Sequence, residues 1–263
     1  MATEYLTNDI ELTSVADAIR AKSGQTGQLI YPDGFASAVA GIKKAPTTPY
    51  MVAEYEQELV TAYESASYIK KAKLYNHTRI AAYELAYQHL LQELDMSDPS
   101  NNITTIDANA FAYSMCENVI LPETVTLIGI TAFSSASIGT MILPGSVTRI
   151  SVFAFQGVRG VNDVAPVIKL NEGLAVIDQS AFNGAGIAGE IEIPSTVTEI
   201  GEYCFAYTGI TTVICKPTTP PALGSSAFGS ETAGFTIKVP AASVAAYKAA
   251  TNWSSYADYI VGV

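Results

Sequence analysis

Side chains able to do covalent or metal chemistry are few and scattered in this 263-residue chain. A nucleophilic thiol needs a base beside it, and a zinc site needs Cys and His at short spacings. The three cysteines, Cys116, Cys204 and Cys215, and the two histidines, His77 and His89, share no such spacing. The carboxylates of Asp95 and Asp98 fit no calcium-loop spacing and read as part of a solvated hinge. Nucleophile elbows, phosphate loops and carboxylate pairs that a fold would bring together are missing as well. The expectation is a non-enzymatic protein with no catalytic, metal or cofactor-binding residues and no cofactor. What remains is recognition chemistry. Tyr113 and Tyr207 offer rigid amphipathic rings, and Arg159 and Asn162 offer a guanidinium and an amide. These four are the candidate ligand-binding residues.

A repeat must position them. Phenylalanines recur at Phe111, Phe133, Phe155, Phe182, Phe205 and Phe228, in steps of 22, 22, 27, 23 and 23 residues. Five residues before each stands an aliphatic one: Ile106, Ile128, Ile150, Ile177, Ile200 and Leu223. Prolines keep the same beat at Pro122, Pro144, Pro194, Pro217 and Pro240, with Asn171 in place of the third. A period in this range marks a solenoid, in which each coil buries its apolar face only by stacking on its neighbours. A short alternating run before each proline supplies one strand per coil. In the fifth coil Ile214 takes the inward phase and Lys216 replaces the second apolar residue, so a frayed strand is expected there. Cys204, just before Phe205, reads as a small core residue.

The candidates map onto this frame. Two places after each spine Phe stand Tyr113, Ser135, Gly157, Gly184, Tyr207 and Ser230, a row that varies while the core does not. The long third step holds an insertion that carries Arg159 and Asn162, and such insertions map to loops on one face.

The phrases at residues 125–133 and 197–205, with the Ile-Leu-Pro at 142–144 and the run at 191–197, resemble BspA-type leucine-rich repeats of bacterial surface and phage proteins. The resemblance covers roughly residues 100–263. Its closing helix is similar to the stretch holding Val244, Tyr247 and Trp253, which also reads bottom-up as a lid on the last apolar edge.

Upstream, Leu12, Val15, Ala16 and Ile19 share one helical face, and a second short helix carries Phe35, Val39 and Ile42. Residues 12–24 and 31–35 resemble the leader of phage and prophage tail or baseplate proteins of Gram-positive bacteria; an ordinary helical pair packed on the rest of the chain is the alternative. Residues 50–95 lack Gly and Pro and place Val52, Tyr55, Leu59, Ile69, Asn76, Ile80, Tyr83, Tyr87, Leu90 and Leu94 at heptad spacing, with Lys73 as a second polar seam position. One long coiled-coil helix is expected, its seam mediating oligomerisation, with a hairpin turning at Asn76 and His77 as the alternative. Resemblance to tail fibres favours a trimer.

The expected architecture is therefore α+β. An N-terminal helical attachment segment occupies residues 1–45 and a long helical stalk residues 46–98. A six-coil leucine-rich-repeat β-solenoid with a C-terminal capping helix occupies residues 99–263. The formal charge of −11 argues against a nucleic-acid partner. No apolar run approaches 18 residues, and the first residues lack a secretory signal. The resemblances imply a tail fibre or baseplate adhesin of the virion, assembled in the host cytoplasm, whose head binds a host glycan, a host protein or a neighbouring tail subunit. A bacterial surface adhesin and a purely structural baseplate subunit are the alternatives.

Overall fold

A computed structural model of the protein describes residues 50–55, 69–229 and 233–263. Its frame is a stack of coils in which each turn of chain lays down short strands, here numbered β1 to β19 in chain order. One parallel sheet of seven strands runs along the whole stack: β3 (Arg79–Ile80), β5 (Thr105–Ile106), β8 (Leu127–Ile128), β11 (Arg149–Ile150), β13 (Val176–Ile177), β15 (Glu199–Ile200) and β17 (Ala222–Leu223). The register pairs the aliphatic spine residues, Ile80 with Ile106, Ile106 with Ile128, and so on to Ile200 with Leu223. A second strand face is divided among three sheets. The first holds β1 (Tyr50–Tyr55), β2 (Ile69–Tyr75), β4 (Glu93–Asp95) and β7 (Asn118–Val119). The second holds β10 (Thr140–Ile142) and β12 (Val167–Lys169), and the third β14 (Ala188–Ile193), β16 (Gly209–Cys215), β18 (Thr236–Val239) and β19 (Ile260–Gly262). A minor pair, β6 (Met115–Cys116) and β9 (Ser137–Ile138), lies between the two faces in the chain.

The phenylalanines form the interior as the spacing requires. From Phe111 to Phe228 adjacent ring centroids lie 4.8 to 5.8 Å apart and within 7° of parallel. All six are buried. This spacing is that of neighbouring strands, so backbone pairing and ring stacking satisfy one another. Three of the strand-ending prolines then turn the chain in the same way: the carbonyls of Pro122, Pro144 and Pro194 accept from the amides of Val125, Val147 and Val197. Asn171 closes the same turn through its own carbonyl and donates its side-chain amide to the carbonyl of Leu143.

The long helix expected over residues 50–95 is not found in the described part of that stretch. β1 and β2 pair antiparallel, Tyr50 opposite Tyr75, and residues 79–95 wind a further coil of the solenoid. Ile80 occupies the aliphatic spine position, and five residues later Leu85, wholly buried, stands where later coils have Phe. Its amide donates to the Ala110 carbonyl at 2.9 Å, as that of Phe111 donates to Ala132 at 2.7 Å. Tyr83 and Tyr87 have φ of +63° and +61°, which no right-handed helix contains. Among the described residues the heptad positions fall on the coil's own landmarks: Ile80 and Leu94 on its two strands and Tyr83 and Tyr87 at its two left-handed turn positions. A helix there would leave the Ile106 and Phe111 edge uncovered, whereas a coil continues the stack, and tertiary burial overrides propensity. Of the expected seam, Ile80 and Leu94 are core residues, Tyr83 and Tyr87 are exposed, and Leu90 and Asn76 are half-buried. The side chains of Val52, Tyr55 and Ile69, Leu59 as a whole, and the helical attachment segment at 1–45 lie outside the described residues.

A second difference is one of phase. In β16 the buried residues are Ile210, Val213 and Cys215, not Ile214. The strand is not frayed: it pairs with β14 through Ile193 opposite Cys215, and with β18 through Val213 opposite Ile237. One extra residue, Lys216, separates it from Pro217 and reaches Glu192 at 2.6 Å.

The expected lid is present. Helix α1 (Val244–Ala249) and the 3-10 segment Trp253–Tyr259 cover the last coil. The Tyr247 hydroxyl donates to the Pro217 carbonyl and the Trp253 indole N–H to that of Pro221, both at 2.8 Å. The Phe228 amide, lacking a further coil to donate to, meets the Tyr256 hydroxyl at 3.2 Å.

Candidate binding face

Of the groups with reactive potential, Cys204, Cys215 and His77 are built into the fold. Cys204 and Cys215 are buried, and burial pushes both thiols up, away from the thiolate that a nucleophile requires. His77, also buried, lies 2.8 Å from Glu84 Oε1 and 2.9 Å from the Tyr75 carbonyl oxygen, tying β2 to the next turn. Among the described residues no group of three or more His, Cys, Asp or Glu side chains is placed to hold a metal ion.

The turn that follows each strand of the seven-stranded sheet carries the candidates. In it the backbone is left-handed at two places per coil, two residues before and two residues after the buried Phe, or Leu85 in the first coil. The earlier row is Tyr83, Asn109, Thr131, Phe153, Ser180, Tyr203 and Ser226, with φ between +50° and +63°. The later row is Tyr87, Tyr113, Ser135, Gly157, Gly184 and Tyr207, with φ between +56° and +64°. Between these two rows the spine amide donates to the next coil, so the conformation repeats because the ladder demands it. Glycine accepts such a backbone without cost, and a bulky L-residue is disfavoured by about 1–2 kcal/mol. Tyr87, Tyr113 and Tyr207 nonetheless occupy it and are 55%, 50% and 67% exposed, so core burial does not explain them. These three are the aromatic rings that the later row presents to solvent.

The sequence candidates fall on this face as follows. Tyr113 and Tyr207 share the later row but stand four coils apart, about 19 Å at ~4.8 Å per coil. Ser135, Gly157 and Gly184 lie between them. Arg159 and Asn162 are exposed two and five residues past Gly157. The insertion is a small hairpin finger: Val161 and Val164 form an antiparallel bridge, and Asn162 and Asp163 turn the chain with φ of +53° and +60°. Two positive φ values in the tip of a two-residue hairpin match the right-handed twist of its arms, and Asn and Asp tolerate them best. Sequence reasoning missed Tyr83 and Tyr87, which it assigned to a helical seam. The Tyr87 ring stacks on that of Tyr113 at 5.2 Å and 4°. The signal for it was the Ile80 and Leu85 pair, five residues apart, which repeats the spine spacing with Leu in place of Phe.

The cross-coil ion pairs lie mainly on the second strand face. Lys71 meets Glu93 at 2.8 Å and Lys73 meets Asp95 at 3.0 Å. Asp95 is held below the usual carboxylate range, first by the Ser97 hydroxyl and also by Lys73, with partial burial opposing both. On the seven-stranded face Arg149 grips Asp178 with two bonds, at 2.7 and 2.8 Å, which raises the guanidinium further.

Comparison with the curated proteins returned no match. The family described as BspA type leucine rich repeat region matches in six copies over residues 60–162 and 165–249, well over half of the chain and including residues that the coiled-coil reading had assigned to a stalk. With the phenylalanine ladder, the in-register strands and this match together, the chain belongs to the BspA-type leucine-rich repeat family.

Proposed function

We propose that the protein is a non-enzymatic binding protein of a phage or prophage tail, a tail fibre or baseplate adhesin whose repeat head engages the host surface or a neighbouring tail subunit. The observation that carries the binding role is the later row of the turn face, where Tyr87, Tyr113 and Tyr207 are exposed on a backbone that favours glycine. Repeats of this family suit recognition of other proteins or surfaces, because their coils align varied side chains on a constant frame. The tail association rests on the resemblance of residues 12–24 and 31–35 to tail-protein leaders. Six basic residues against twelve acidic ones in residues 100–263 argue for a neutral glycan or a protein surface rather than a polyanion. The candidate contacts are Tyr113, Tyr207, Arg159 and Asn162, with Tyr87 added beside Tyr113.

Tyr207→Ala combined with Arg159→Ala is expected to reduce adsorption to host cells or purified cell wall while the melting temperature stays near that of the unchanged chain. Unaltered adsorption removes this face from consideration. The family match also accommodates a bacterial surface adhesin. Antibody labelling separates the two: tail tips of purified particles carry the label in the first case, the surface of uninfected cells in the second.

A further inference from the structure

The second strand face carries a sign pattern along the stack, besides the ion pairs of Lys73 with Asp95 and of Glu192 with Lys216 that clasp neighbouring coils. Over six successive coils its outward row reads Lys73, Asp95, Ile120, Ile142, Lys169 and Glu192, and beyond them it continues with Ile214, Lys238 and Val261. Each of the charged members is at least partly exposed, and Ile120 and Ile142 are 82% and 54% exposed. In charge the first six are positive, negative, neutral, neutral, positive, negative. Turned end for end these six become negative, positive, neutral, neutral, negative, positive, so each of the six meets its opposite, the isoleucines meet each other, and Ile214, Lys238 and Val261 lie outside these pairings.

We propose that this face is a homodimer interface, on which a second copy of the chain packs strand face to strand face about a two-fold axis running along the strands between Ile120 and Ile142. In that arrangement Lys73 faces Glu192 of the second copy, Asp95 faces its Lys169, and Ile120 faces its Ile142. The adjoining row adds Lys71 opposite Glu190. The axis falls between β7 and β10, where the hydrogen-bond ladder of this face is interrupted. Two sheets packed this way lie about 10 Å apart, with interdigitating side chains between them. The existing pair of Lys73 and Asp95, half-exposed at 3.0 Å, is retained and extended into a square of alternating charges. An isologous interface needs such self-complementarity.

The pattern also selects one packing over the other. With coil order preserved, the two-fold would set Lys71 over Lys73, Glu93 over Asp95 and Glu190 over Glu192, like on like at all three. Complementary charges with a repulsive alternative specify register. The apolar centre is small, so the charges set the order and the isoleucines supply the dry middle of a reversible dimer. The interface is independent of what the turn face binds, since the two surfaces lie on different sides of each coil.

The test uses the full chain in two forms. One carries Lys73→Glu with Asp95→Lys, which keeps the ion pair within the chain and inverts its sign toward the second copy. The other carries Lys169→Glu with Glu192→Lys. By sedimentation equilibrium at tens of micromolar, the unchanged chain is expected to show twice the mass of either variant alone, with dimer affinity weakened about tenfold or more in each. An equimolar mixture of the two variants should regain the full mass, because each now offers the sign that the other requires. Restoration also shows that both variants are folded. An unchanged chain with the mass of the single variants, variants that keep the mass of the unchanged chain, or a mixture that fails to recover it would each overturn the proposal.

Discussion

At the scale of single residues the interior is the simplest part to argue. Phe133 and Phe182 each have a parallel ring above and below and are wholly buried, so replacing either by Ala removes both contacts and leaves a void that the ladder cannot close. The expected loss is about 3–5 kcal/mol, measured by chemical denaturation. Melting near that of the unchanged chain would mean that the rings do not hold the stack. The exposed tyrosines should behave in the opposite way. Gly157 and Gly184 show that glycine suits the later left-handed row, so Tyr207→Gly is expected to raise stability by up to about 1 kcal/mol while weakening adsorption. Lower stability would show that the Tyr207 ring has a packing role. The six phenylalanines were legible in the sequence because one residue type recurs at a nearly fixed step. Leu85 was not, because the slot is defined by burial and volume, and Leu fills it as Phe does elsewhere.

At the scale of elements the sequence marked strands, turns and lid from alternation, prolines and the aromatic tail, and misplaced the helix. The misreading has a physical source: Ile80, Tyr83, Tyr87, Leu90 and Leu94 satisfy a heptad as well as a coil, and only the neighbour across the stack decides between them. β16 taught a similar lesson, since inward phase there is set by pairing with Ile193 and Ile237 rather than by counting back from a proline. The elements are also clasped by carboxylates. Glu172 accepts from the Ser195 hydroxyl at 2.8 Å in the next coil and is thereby held below the usual carboxylate range, as Asp95 is by Ser97. A folded pKa lower than the unfolded one contributes stability above the ordinary carboxylate value, and that stability is lost as pH falls through the lowered one. The melting temperature should therefore change little between about pH 7 and 5 and fall below about pH 4. In Glu172→Gln that acid-side fall should be shallower; an identical pH profile would remove this clasp from the account.

At the scale of the whole molecule the open question is where the stack begins, because a solenoid is a one-dimensional array whose terminal coil must be covered. Reading residues 46–98 as a stalk implies that a chain starting at residue 99 is a complete head. The structure implies otherwise: such a chain would lose Ile80, Leu85, Leu91 and Leu94, all buried, and would bare the Ile106 and Phe111 edge to water. The backbone acceptors at Ala110 and Ala112, filled by the amides of Leu85 and Tyr87, would be left open on an unprotected strand edge. Two truncations decide it. A chain of residues 50–263 is expected to melt near the temperature of the full protein with a strand-dominated far-ultraviolet spectrum. A chain of residues 99–263 should melt lower, bind a hydrophobic dye and tend to aggregate, since removing a coil costs both its own burial and one interface. Equal stability of the two would place the first coil outside the cooperative stack and return residues 69–98 to the role of an appendage.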